Sequence, residues 1–328
     1  MIKSVSTAAL PVTENLVIQK KRIEGTGCKG SAWGKGVARN APTVSAKDKR
    51  ICIVTGTHGD ELEGQYVCAE LARILSEEIK NLSGIVDIYP AINPLGIDSI
   101  TRGFPLFDLD MNRIFPGSPT GSLAEAVAHD VVRDIEGADM CIDIHSSNIF
   151  LREIPQVRVS EQTEAELLPY AAMLNTDLVW IHTAATVLES TLAHTLNMRG
   201  VKTLVVEMGV GMRITESYCT QLLDGIFNLL KELEMWSGET RPVRTPIISK
   251  DRSVGFLNSD AAGIFIPSVA HGSRVNAGDQ IGKVLDPLTG STVEKSLSPC
   301  DGLIFTLREY PVVFGGSLLA RILGDGNA

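Results

Sequence analysis

Between Arg50 and about Trp236 the chain switches repeatedly between two periods, and few architectures accommodate that. Short apolar, largely β-branched runs at 51–54, 84–91, 140–144, 178–182 and 201–206 read as strands. Between them, 61–80, 122–135, 161–174, 190–198 and 215–233 read as helices. Strands separated by helices predict an α/β fold, a mixed, mainly parallel sheet with helices on both faces. Residues 15–23 add a strand-like piece before it, and 93–120, rich in Pro and Gly, reads as one long loop. Ordered loops of that length more often serve function than idle connection.

After Trp236 the pattern changes. Residues 237–245 are polar and read as a linker, and 246–322 show short apolar runs broken by Gly, Pro and Asp without a helical period. The predicted division is a catalytic domain over 1–240, with N-terminal β strands, and a small all-β domain over 241–328. HGSRVNAGDQIGKVLDPLTG followed by SLSPCDGLIF resembles the barrel-sandwich of biotinyl and lipoyl domains. Those domains carry a cofactor on a hairpin-tip Lys; here the tip falls near 288–291 without one, and Lys283 and Lys295 lie on the flanking strands. A structural or substrate-screening module is therefore expected rather than a carrier.

Of the 328 residues, 44% are apolar and 21% charged, which describes a globular chain. A formal charge of −9 without a Lys/Arg-dense segment argues against nucleic acid as a partner. No run of about 18 apolar residues suggests a membrane span, and the N-terminal apolar patch is too broken for a signal peptide. The six cysteines are scattered without a CxxC pair, so reduced thiols and a cytoplasmic location are expected. GTGCKGSAWGKG at 25–36 invites a phosphate-loop reading, but it matches neither GxxxxGK[ST] nor GxGxxG after a buried strand; a solvated hairpin region fits better.

Four places carry chemistry. In ICIVTGTHGDELEG a buried strand breaks at Thr55-Gly56-Thr57, so His58 and Glu61 fall at a strand-to-helix turn and can reach one small cation; a plain junction with a surface His is the alternative. In MCIDIHSSN, His145 ends a strand, and Asp143 shares its face and can orient the ring; a hydrogen-bonded core His is the alternative. In TLVVEMGVG, Glu207 ends another strand, where a carboxylate is costly unless used or paired; a general base acting on water is one use, a cap or salt bridge the other. In TRGFPLFDLDMNRIFPG, Arg102 and Arg113 suit polarising a carbonyl or gripping a carboxylate, Asn112 can add a neutral donor, and pairing with Asp108 or Asp110 is the structural alternative.

Taken in order, HGDE, DLDMNRIFPG, DIHSS and VEMG resemble the succinylglutamate desuccinylase/aspartoacylase family of the zinc carboxypeptidase superfamily, over roughly residues 50–325. The resemblance implies a zinc-carboxypeptidase-like fold with a Zn²⁺ held by His58, Glu61 and His145. It implies Glu207 as general base, Arg102 as the carbonyl-polarising residue, and Asn112 with Arg113 as the carboxylate clamp. The expected activity is zinc-dependent hydrolysis of the amide of a small N-acyl amino acid or diamino acid. The rivals are a metallocarboxypeptidase acting on short peptides and a catalytically silent metal-binding homologue. Three extra residues separate Arg102 from Asn112-Arg113 relative to aspartoacylase, and that enzyme's second substrate arginine and its tyrosine have no clean match; Arg199 and Tyr310 are the candidates. The sequence neither requires nor excludes a homo-oligomer.

Overall fold

The computed structural model describes residues 1–26, 49–183, 189–250 and 254–324. The glycine-rich 25–36 stretch falls almost wholly outside them. Strands β1 (Ile2–Ala9) and β2 (Asn15–Glu24) form an antiparallel hairpin. Then follow β3 (Arg50–Thr55), α1 (Glu63–Glu77), β4 (Ile85–Tyr89), α2 (Pro94–Ser99), α3 (Leu123–Ile135), β5 (Met140–Ser146), β6 (Leu151–Ser160), α4 (Glu164–Ala171), β7 (Leu178–His182), α5 (Leu192–Met198), β8 (Lys202–Gly209) and α6 (Glu216–Glu232). The sheet runs β1-β2-β4-β3-β5-β8-β6. Its centre, β4-β3-β5-β8, is parallel, whereas β2 joins β4 and β6 joins β8 antiparallel. A mixed, mainly parallel sheet is thus the observed fold class.

Side-chain alternation sorts the two faces. Ile142, Ile144, Val157, Leu204, Val206 and Met208 pack with α1 and α6 in one core. The intervening positions face the opposite side, where Cys52, Val54 and Cys141 pack with α3 and α5. Helix α3 starts on a complete capping box: Ser122 accepts from the Glu125 backbone N–H, and the Glu125 carboxylate accepts from Ser122.

The 93–120 segment is not one uninterrupted loop. Asn93 Oδ1 accepts from Gly96 N at 3.0 Å and Pro94 fills the first turn, so α2 nucleates there. A single 3₁₀ turn, Met111–Arg113, follows. The strand β6 was not evident in the sequence, because Pro155 interrupts an otherwise strand-like alternation.

A buried ion cluster clamps the β2-β4-β3 edge. Asp87 on β4 is fully buried; its Oδ1 accepts from Arg22 Nε (2.7 Å), and its Oδ2 from Arg22 Nη2 (2.6 Å), Arg50 Nε (2.9 Å) and Lys20 Nζ (3.1 Å). Arg50 opens β3, the strand that leads to the His58 turn.

Beyond α6, hydrogen bonding continues across the predicted boundary. Ile247–Lys250 pairs parallel with β7, and Gly302–Arg308 pairs antiparallel with β6 through Thr306–Arg308. Leu318–Gly324 and Val254–Asn258 extend that sheet. A second, four-stranded sheet contains the hairpin of Gln280–Leu285 and Thr292–Leu297, at whose tip Leu288 is exposed. None of the described helices is long and apolar enough to cross a membrane. Cys52, Cys68, Cys141 and Cys219 are buried free thiols.

Candidate metal centre and active site

Three strand ends build the site. β3 stops at Thr55, and Gly56 makes the turn with φ +68°, a left-handed value that glycine adopts without strain. That turn delivers His58 and Glu61 to the carboxyl end of the sheet. β5 delivers Asp143 and His145 on the α3/α5 side, and β8, paired in parallel so that His145 lies opposite Glu207, delivers the carboxylate beside them. Gly209 then turns the chain at φ +70°; a Cβ there would lie 1.8 Å from Glu63 Oε1.

His58, Glu61 and His145 converge: one donor atom from each lies within 4.8 Å of the others, and all three side chains are buried. His58 Nδ1 is 2.7 Å from Glu61 Oε1, and His145 Nδ1 is 3.0 Å from Glu61 Oε2. The far nitrogen of each ring faces another carboxylate: His58 Nε2 lies 3.0 Å from Asp110 Oδ1, and His145 Nε2 lies 3.1 Å from Asp143 Oδ2. The Asp110 carboxylate behind His58 Nε2 fixes that ring and leaves Nδ1 as the donor, the arrangement common behind metal-ligating histidines, while Asp143 stands at ion-pair distance from His145. Asp110 is itself held by the Asn112 backbone N–H at 2.8 Å.

The electrostatics call for positive charge at this point. Burial would drive both imidazoles neutral, but Glu61 with Asp110 outweighs it at His58, and Asp143 with Glu61 outweighs it at His145, so both are pushed up. Burial opposes ionisation of Glu61 and Asp110 as well; the imidazoles nevertheless pull Glu61 well below the carboxylate range, and His58 with the Asn112 N–H holds Asp110 at about 2. Two imidazole nitrogens and a carboxylate, ringed by further carboxylates, fit a divalent cation of the zinc type, which takes such N/O donors at about 2.0–2.2 Å.

Arg102 and the Asn112–Arg113 pair come from the loop after α2. Arg102 Nη1 donates to Glu61 Oε1 at 2.7 Å, at the edge of the donor triad. Asn112 Oδ1 accepts from Leu192 N at 3.0 Å, which ties the loop to the start of α5, and Arg113 is exposed beside it. All three line one cleft of about 230 Å³ with His58, His145 and Glu207. Glu207 is pushed up by burial, against the pull of Arg158 and His145. Neither Arg199 nor Tyr310 lines the cleft: Arg199 pairs with Glu136, and Tyr310 packs edge-on against Phe150 with ring centroids 5.7 Å apart.

A third arginine lining the cleft is Arg158 of β6, whose Nη1 donates to Glu207 Oε1 at 3.2 Å. Sequence reasoning passed over it along with its strand. Its one local signal is placement: a charged residue two positions after Gln156 within a Val-rich run. Asp110 was considered only as a partner for the loop arginines; it faces His58 instead.

The model of the succinylglutamate desuccinylase/aspartoacylase catalytic domain matches residues 47–233. A curated relative, N-alpha-acetyl-L-2,4-diaminobutyric acid deacetylase of Halomonas elongata, is 27% identical over 271 residues, covering 78% of this chain and 76% of that protein. A succinylglutamate desuccinylase/aspartoacylase structure from Rhodobacter sphaeroides superposes with TM-score 0.78 at 22% identity over 100% of this chain and 96% of that one. The product-bound ectoine utilization protein EutE (DoeB) from Ruegeria pomeroyi gives TM-score 0.78 at 20% identity, over 97% and 92% of the two chains.

Proposed function

Since the chain belongs to the succinylglutamate desuccinylase/aspartoacylase family, we propose that it is a zinc-dependent hydrolase that removes the acyl group from a small N-acyl amino acid or diamino acid. The observation that carries this reading is the buried convergence of His58, Glu61 and His145 with Glu207 on the adjoining strand. The relative that deacetylates N-acetyl-diaminobutyrate supports the substrate class. A cleft of about 230 Å³ suits a small molecule better than a peptide chain.

When bound, the ion supplies Lewis acidity that lowers the pKa of water at the site to about 7. His58, Glu61 and His145 would hold it, with Asp110 hydrogen-bonded behind the His58 ring and Asp143 at ion-pair distance behind the His145 ring. Glu207 accepts a proton from the attacking water as its oxygen adds to the acyl carbon. Arg102 stabilises the oxyanion that develops on the acyl oxygen. Glu207 then passes its proton to the amine nitrogen as the C–N bond breaks, leaving a carboxylic acid and a free amine. Arg113 grips the substrate carboxylate, and Asn112 orders the loop that carries it.

Metal analysis coupled to a panel of N-acetyl and N-succinyl amino acids tests the assignment. The expected result is about one zinc per chain and turnover of at least one member, abolished by Glu207→Gln with the metal retained. Near-normal turnover in that variant rejects Glu207 as base, and release of free amino acids from peptides alone makes the chain a carboxypeptidase.

A further inference from the structure

Glu207 is one end of a row of alternating charges that crosses out of the catalytic domain. Arg158 reaches it through Nη1, while Arg158 Nη2 donates to Glu153 Oε2 at 3.1 Å. The other Glu153 oxygen, Oε1, accepts from Arg321 Nη1 at 2.9 Å. Arg321 belongs to Leu318–Gly324, which pairs with Gly302–Arg308 and through it with β6. Glu153 is 2% exposed, and Gln156 donates to it as well. Both guanidiniums stack over Trp180, with Cζ 5.5 Å from the ring centroid for Arg158 and 5.7 Å for Arg321.

A partly buried row of two arginines and two glutamates, centred on the buried Glu153, is a poor device for stability, because desolvation offsets much of the Coulomb gain. It is a good device for direction. Arg158 engages Glu207 through Oε1 alone, so it fixes the carboxylate by one oxygen and spares the other for proton transfer. Glu153 divides the charge of Arg158 between two carboxylates, and Arg321 restores neutrality from behind.

We propose that Arg158, Glu153 and Arg321 are positioning residues for Glu207, so that the C-terminal strand Leu318–Gly324 takes part in catalysis although it does not line the cleft. This rests on the reading of Glu207 as base. A cap or salt bridge was the alternative reading of Glu207; here the salt bridge, made by Arg158, serves the base.

The test uses the zinc-loaded full chain with its best substrate. Arg321→Gln lowers kcat about tenfold with KM within about twofold, Arg321→Lys recovers most of the loss, and Arg158→Gln lowers kcat about a hundredfold. Because the effects share one path, Arg158→Gln/Arg321→Gln falls no further than Arg158→Gln alone, to within about twofold. An unchanged kcat in Arg321→Gln, losses that multiply, or a KM rise accounting for the loss each overturn the proposal. A second arm needs no substrate. In side-chain nitrogen-15 spectra of the metal-free protein, the Arg158 guanidinium signals shift in both Glu207→Gln and Arg321→Gln. If the wild type turns over no acyl amino acid, the deacylase reading falls while this arm still decides the row; signals unmoved by Arg321→Gln refute it.

Discussion

Asp87→Asn removes one charge while keeping the side chain's shape, and the surroundings of Asp87 set the size of the effect. The carboxylate is fully buried and accepts from Arg22, Arg50 and Lys20 at 2.6–3.1 Å. Burial opposes its ionisation, yet Arg22, Arg50 and Lys20 hold its pKa at about 2 against an ordinary 3.8. At about 1.4 kcal/mol per pH unit, that difference contributes about 2 kcal/mol at neutral pH. The folded pKa is the depressed one, so the contribution is complete above the unfolded value and is lost as the pH falls through about 2. The variant also takes the buried counter-charge from Arg22 and Arg50, while Lys20 keeps Asp134, and breaking a buried pair from one side costs about 3–5 kcal/mol. Urea unfolding of the metal-free protein, followed by circular dichroism, is the assay, since bound metal would add its own stabilisation. The expected gap between wild type and variant is about 3–5 kcal/mol at about pH 7, narrowing by about 1 kcal/mol at about pH 3. A gap below about 1 kcal/mol at neutral pH, or one indifferent to pH, would refute the reasoning.

Asp110→Asn keeps an acceptor near His58 Nε2 but removes the charge, so zinc affinity should fall about 10- to 100-fold in a chelator competition with little change in unfolding. Prolonged chelation should abolish deacylation and leave the far-ultraviolet spectrum intact, with Zn²⁺ restoring turnover; activity that survives removal of the metal would exclude the mechanism. Gly209→Ala meets both a left-handed φ and the Glu63 carboxylate, so a loss of at least about 1–3 kcal/mol is expected in thermal unfolding, with kcat reduced through the displaced Glu207 strand end.

The strands and turns that carry His58, His145 and Glu207 were legible because each is local: an apolar run, a break, and a polar residue at the carboxyl end. The helix over 122–135 was legible for the same reason, and the structure begins it at Leu123 behind the Ser122 cap. Arg158 was not, since it meets Glu207 only through the antiparallel register of β6 on β8, which sets Gln156 opposite Glu207 and Arg158 opposite Val205. No short pattern encodes that pairing. Asp110 was seen as a charge in a loop, but its partner is a histidine 52 positions away in sequence. Arg199 was a candidate for the second substrate arginine, whereas the end of α5 turns it towards Glu136.

The odd–even sorting of β8 has a consequence for how such a chain can vary. Deleting one residue upstream within that strand would rotate Glu207 into the oily layer beside α6 and swing Val206 into the wet cleft. The length of this strand is therefore guarded more strictly than most of its letters, while the hairpin tip around Leu288 is free to lengthen, shorten or change its spelling.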